Sequence, residues 1–148
     1  MTFAEELKSF KQTHRYSELV IGGIKTSYLL CGNSESEKTL VYLVGGTGFS
    51  AAWFKHIQLM EHEYRILTLE YPVGIEQMEK LADHIMSLIK ELGIQKPVLI
   101  GASLGGMLAQ VIARRYAGSI FGICLYSEIC PLISGIFVWN LAYSNPAA

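Results

Sequence analysis

The spacing of apolar residues changes character near residue 39, and the change divides the chain into two regions. Before it, apolar positions are sparse. Phe3, Leu7 and Phe10 recur at helical spacing, which predicts a short amphipathic helix. Two β-rich stretches follow, residues 18–21 and 24–31, separated by Gly22-Gly23. That pair readily takes the positive φ angles of a tight turn, so the stretches predict an antiparallel hairpin. Asn33, Ser34 and Ser36 then mark residues 32–38 as a surface loop.

From residue 39 onward, continuous apolar runs occupy 39–44, 64–69, 97–102 and 120–126. Runs without polar alternation predict strands covered on both faces, as in a parallel sheet. Helix-period segments lie between them. Trp53, Phe54 and Ile57 predict a short helix over 51–60, and Ile75, Met78, Leu81, Ile85, Leu88, Ile89 and Leu92 a longer one over 75–92. Gly93 stands where a helix C-cap belongs, and Pro72 closes the strand before it. Residues 104–116 predict a third helix, with Met107, Leu108, Val111 and Ile112 facing inward and Arg114 and Arg115 suited to its C-terminal dipole. Residues 132–142 are apolar without a period that selects a state. The expected fold is α/β, a mostly parallel sheet with helices on both faces, in a single domain over 1–148. Within it, 1–38 holds the first helix and hairpin, 39–128 the βαβ core, and 129–148 a tail or the start of a cap.

Charge removes two classes of partner. Twelve basic and thirteen acidic residues give a net charge of −1, too little field to gather nucleic acid or anionic lipid. The longest apolar region, 120–142, is broken by Ser127, Glu128, Pro131 and Gly135, short of the roughly 20 residues a membrane helix needs. No membrane insertion is expected. Glu5 and Glu6 stand where a secretory leader would carry positive charge, so the expected compartment is cytoplasmic. Cys31, Cys124 and Cys130 are odd in number, widely spaced and expected to be reduced.

The residues that suggest chemistry are Gly101-Ala102-Ser103-Leu104-Gly105, placed where a predicted strand passes directly into a predicted helix. A serine there sits on a strained turn, and the residues two before and two after it must lack side chains that would strike neighbouring backbone. Gly101 and Gly105 meet that need. Ser103 is the candidate nucleophile, with the amides at the start of the following helix aimed at a developing oxyanion. A glycine-rich phosphate cradle is the competing interpretation, but a Walker loop needs a Lys before its Ser or Thr, which is missing. Gly45-Gly46-Thr47-Gly48 follows the run 39–44 and is the expected oxyanion loop, making Gly46 and Leu104 the two candidate donors. A tight turn alone would also explain these glycines, and Gly46, Gly48, Ala51 and Glu70 loosely fit a dinucleotide fingerprint.

From the hairpin to the strand after the nucleophile helix, the chain resembles the first half of the α/β-hydrolase superfamily. Tyr71-Pro72-Val73, residues 101–106 and Ala109-Gln110 are similar to maspardin-like members. The chain departs from commoner relatives at Val44, where many carry His, and at Glu70-Tyr71-Pro72, where many carry Asp-x-x-Gly-x-Gly. The resemblance implies an ester or thioester hydrolase of esterase or acyl-transfer type, acting on a small-molecule acyl substrate with no metal or organic cofactor. It equally admits a non-catalytic binding or adaptor protein on the same scaffold.

A serine nucleophile needs a base, and that base needs an acid to orient it. The superfamily order is Ser, acid, His. All four histidines, His14, His56, His62 and His84, precede Ser103. His14, His62 and His84 are expected to be solvated, and His56 to lie on a helix leading away from the site. Glu128, just after the run 120–126, is the candidate acid, although a plain exposed carboxylate explains it as well. The expectation is a sheet truncated before its last strands, with little turnover by this chain alone. Its apolar stretch 132–139 predicts self-association or a protein partner.

Overall fold

The computed structural model describes residues 1–126 and the backbone of Phe137–Asn140. Helix α1 (Phe3–Thr13) opens on a capping box, in which Thr2 Oγ1 accepts the Glu5 N–H at 3.3 Å and Glu5 Oε2 accepts the Thr2 N–H at 2.6 Å. Strands β1 (Ser17–Ile21) and β2 (Ile24–Gly32) form the expected hairpin, Gly22 and Gly23 taking φ of +56° and +79° at its turn. The remaining elements are β3 (Thr39–Leu43), a 3₁₀ turn (Ser50–Trp53), α2 (Phe54–Met60), β4 (Arg65–Leu69), α3 (Met78–Glu91), β5 (Val98–Ala102), α4 (Leu104–Arg115), β6 (Gly122–Tyr126) and β7 (Phe137–Asn140).

The sheet order is β1-β2-β4-β3-β5-β6-β7. The four central strands, β4, β3, β5 and β6, run parallel, while β1, β2 and β7 join antiparallel at the edges. Strand β7 lies in the stretch whose state the periodicity left undefined. It pairs with Gly122–Leu125, so β7 rather than β6 is the outer strand on that side.

Side chains alternate across β3 and divide the core into two layers. Val41 and Leu43 pack with Leu67, Leu69 and Leu99 against α3 and α4. Leu40, Tyr42 and Val44 pack with Ile66 against Phe10 of α1 and Trp53, Phe54 and Ile57 around α2. Helices therefore cover both faces, as expected. Each fully buried aliphatic side chain contributes roughly 1.5–3 kcal/mol.

Two expectations need correction. Helix α3 begins at Met78, since Gln77 before it is extended, with φ −92° and ψ 130°, and Ile75 packs against the core from outside the helix. Met107 is 58% exposed, because the inward face of α4 is Gly105, Gly106, Leu108, Ala109, Ile112 and Ala113. Small residues on that face bring α4 close to the sheet, and a pattern read from large apolar residues misses them. At its far end α3 stops as expected, with Gly93 at φ +67° and the Ile94 N–H reaching Ile89 C=O at 3.1 Å.

Candidate active site

Strand β5 lies between β3 and β6, and the chain leaves its carboxyl end directly into α4. Ser103 is the only residue between them, with φ 52° and ψ −120°. A non-glycine residue there carries about 1–3 kcal/mol of strain, which only a rigid surrounding maintains. The surrounding is backbone. A Cβ on Gly101 would lie 2.3 Å from the Gly105 carbonyl oxygen, and one on Gly105 would lie 2.2 Å from that of Leu43. Neither position admits any side chain.

A serine at a helix N-cap usually accepts an amide hydrogen bond from the first turn. Ser103 makes no such side-chain bond. Its own carbonyl takes the Gly106 and Met107 N–H groups, at 2.9 and 3.1 Å. The hydroxyl is thus left exposed at the head of α4, and the Leu104 N–H has no backbone acceptor among the described residues.

The loop after β3 lies against this bend. A Cβ on Gly45 would be 3.8 Å from Ser103 Cβ, whereas one on Gly46 would meet open space. Gly45 C=O accepts the Gly48 N–H at 3.0 Å, closing a turn in which Gly48 has φ +66°. Gly46 is exposed, and its N–H finds no backbone acceptor among the described residues.

Four residues that sequence reasoning assigned no part in this loop hold it in place. The Tyr71 hydroxyl donates to Val44 C=O at 2.7 Å, immediately before the glycines. Burial pushes the Tyr71 phenol well above its ordinary range, so it remains a donor. On the loop's other side, Ser50 donates through Oγ to Glu70 at 2.5 Å and through N–H at 3.4 Å. With that hydroxyl hydrogen committed, Tyr16 donates to Ser50 Oγ at 2.5 Å. Glu70 is therefore engaged within the fold rather than free to bind a ribose, which removes the support for a dinucleotide site. The pairs Tyr71–Val44, Glu70–Ser50 and Tyr16–Ser50 are 27, 20 and 34 residues apart, and no local pattern signals them.

The histidines do not gather at Ser103. His84 is buried, contrary to expectation, because α3 turns it toward the hairpin, where Nε2 lies 2.6 Å from Thr26 Oγ1. Burial holds its imidazole below the ordinary histidine range. His14 is also not solvated: it stacks on Phe10 at 4.0 Å and its Nε2 lies 2.7 Å from Glu61 Oε2. His62 is exposed in the turn after α2, as expected. His56 is exposed and packs edge-on against Trp53 at 5.0 Å and Tyr126 at 6.1 Å, with no hydrogen bond to Ser103. Glu128 and Cys130 lie outside the described residues, as does most of 132–139. Cys31 and Cys124 are free thiols. Burial pushes Cys31 up to about 12, with a further contribution from Glu61. Among the described residues, no helix is long and apolar enough to cross a membrane.

A family profile described as uncharacterised protein family UPF0227 matches residues 41–122, more than half of the chain. The chain belongs to the UPF0227 family, within the α/β-hydrolase superfamily. This UPF0227 chain is similar to human maspardin, with 37% identity over 76 residues, 51% of this chain and 24% of that protein. It is similar to human epoxide hydrolase 4, with 30% identity over 115 residues, 70% of this chain and 31% of that protein. Its fold matches naproxen esterase from Bacillus subtilis with a TM-score of 0.67 at 19% identity, covering 81% of this chain and 46% of the other. The UPF0227 chain spans about a quarter to a third of these curated relatives' length.

Proposed function

We propose that Ser103 is the nucleophile of a serine hydrolase acting on carboxylic esters or thioesters, the two candidate donors of its oxyanion hole being the N–H groups of Gly46 and Leu104. One observation carries this reading: a non-glycine residue is held at φ 52° between a central strand and its helix, and its hydroxyl is not used to cap that helix. A turn serving only to join β5 to α4 would relax to glycine or spend the hydroxyl on the cap.

The chemistry follows from the geometry. Ser103 Oγ attacks the acyl carbon and passes its proton to a base, and the carbonyl electrons move onto an oxyanion that accepts from Gly46 and Leu104. The intermediate expels the alcohol or thiol, which takes up the proton, and water later releases the acid by the same route. Each oxyanion donor contributes about 3 kcal/mol to the transition state. Tyr71 and Glu70 act as positioning residues by fixing the two sides of the loop. The described residues supply no base to Ser103. Glu128 remains the proposed acid, and free cysteines suit a reducing, cytoplasmic setting.

That no base stands beside Ser103 among the described residues favours one second reading, a non-catalytic binding protein on the same scaffold. The two separate cleanly. With the native gene product and a panel of nitrophenyl esters and acyl thioesters, hydrolysis that falls by roughly 10⁴-fold or more in Ser103→Ala supports the enzyme. Hydrolysis unchanged by Ser103→Ala, or absent across the panel, contradicts it. A stable protein partner retained by Ser103→Ala then supports the binding role.

A further inference from the structure

At the opposite end of the parallel strands from Ser103, three side chains from separate segments converge. His14 is the C-cap of α1, Cys31 lies near the end of β2, and Glu61 is the C-cap of α2. One ligand atom from each, an imidazole nitrogen, the Sγ and a carboxylate oxygen, all lie within 4.8 Å of one another. Cys31 pairs with Ile66 at the amino end of β4, whereas Ser103 follows the carboxyl end of β5, so the cluster takes no part in the chemistry at the elbow.

We propose that His14, Cys31 and Glu61 bind a divalent transition-metal cation of the zinc class. Around a tetrahedral zinc with bonds of about 2.0–2.3 Å, ligand atoms stand roughly 3.3–3.7 Å apart. With no two donors more than 4.8 Å apart, reaching that spacing asks for shifts of about 1.5 Å or less. One nitrogen, one sulfur and one oxygen suit a borderline ion, while magnesium and calcium take all-oxygen sites. The second ring nitrogen of His14 is already anchored, with Nδ1 3.1 Å from Phe10 C=O and 2.8 Å from Thr13 Oγ1. That anchorage aims Nε2 at the cluster, the outer-shell arrangement on which metal-binding histidines rely. The His14 and Glu61 side chains are 12% and 21% exposed, so solvent reaches both and a water can serve as fourth ligand.

The exchange balances. The hydrogen now shared between His14 Nε2 and Glu61 Oε2, 2.7 Å apart, leaves together with the Cys31 thiol proton. The ion's two positive charges then meet one thiolate and one carboxylate, with a neutral imidazole between them. The cation ties α1, β2 and α2 together at this end, adding to the His14–Glu61 contact and to the packing of Phe10, Leu29 and Phe54.

Cobalt(II) titration of the chelator-stripped chain tests this, because a thiolate ligand gives a charge-transfer band that nitrogen and oxygen ligands do not. The expected result is one equivalent bound with that band, displaced by zinc and not by magnesium. The double variant Cys124→Ser/Cys130→Ser keeps the band, since Cys31 is then the sole thiol. Cys31→Ser loses it, and zinc binds more weakly by more than the roughly 10–100-fold that loss of an outer-shell partner costs. Glu61→Gln, at the half-buried end of α2, weakens zinc by a similar factor without depending on the β2 substitution. Absence of the band from both the wild-type chain and the double variant, or its survival in Cys31→Ser, overturns the proposal and leaves His14–Glu61 as a clamp between helices only. Neither outcome bears on Ser103.

Discussion

The two sides of the candidate active site are held by different means. The elbow at Ser103 is shaped by excluded volume: Gly101 faces the Gly105 carbonyl and Gly105 faces the Leu43 carbonyl, at separations that admit no Cβ. The loop over Gly45 and Gly46 is shaped by side chains reaching in from elsewhere, Tyr71 to Val44 on one side and Glu70 to Ser50 on the other. Sterics of the first kind are all or none. Tethers of the second kind are graded, each contributing about as much as one hydrogen bond.

The largest effect is therefore expected at the elbow. Gly105→Ala places a Cβ 2.2 Å from the Leu43 carbonyl oxygen, and α4 must move off β3 to accept it. A loss of about 3 kcal/mol or more follows, read as a fall in the urea midpoint. An unchanged midpoint would show that the helix is not packed against the strand as described.

Removing a tether costs less. Tyr71→Phe leaves the buried Val44 carbonyl without its donor, for about 1–3 kcal/mol. Because the loop beside Ser103 loosens, acylation slows by roughly 10-fold, and KM changes less than kcat because the loop serves the transition state. Equal loss of both, or no loss, would deny Tyr71 its positioning role.

The strain at Ser103 predicts the opposite sign. Ser103→Gly relieves the positive φ and raises stability by about 1 kcal/mol, after the entropy cost of glycine, while abolishing covalent reactivity. A fall in stability would mean that the bend is not strained.

The smallest effect belongs to His84, remote from both sides. Burial holds its imidazole below the unfolded value near 6.5, so the unfolded chain takes up a proton first as pH falls. Its contribution to stability is complete above about pH 6.5 and declines below it, until the folded-state imidazole also protonates. His84→Gln flattens that decline. An unaltered slope in the variant would place the pH dependence elsewhere.

The same contrast explains what could be read in advance. The elbow is legible because its constraints fall within five consecutive residues: Gly101, Ser103 and Gly105 sit where strand meets helix, and each has a steric reason. The central strands are legible because burial on both faces leaves unbroken apolar runs. The tethers are not, since Tyr71 and Glu70 find their acceptor and donor 20 or more residues away, through pairings that sheet order alone decides. His14, Cys31 and Glu61 escaped for that reason as well: each looks ordinary until β2, α1 and α2 are assembled. His84 and Met107 were assigned the wrong environments because apolar periodicity locates large hydrophobic residues. It does not detect a histidine turned toward a threonine, or a helix face built from glycine and alanine.

The central claim is that the Ser103 hydroxyl stands free and reactive at the bend. Its most direct test is to treat the native gene product with a fluorophosphonate and locate the adduct by peptide mass spectrometry. The account predicts one phosphonylated residue, Ser103, and no adduct in Ser103→Ala. Ser103 unmodified while another hydroxyl carries the label, or no label at all under conditions that modify other serine hydrolases, would contradict it.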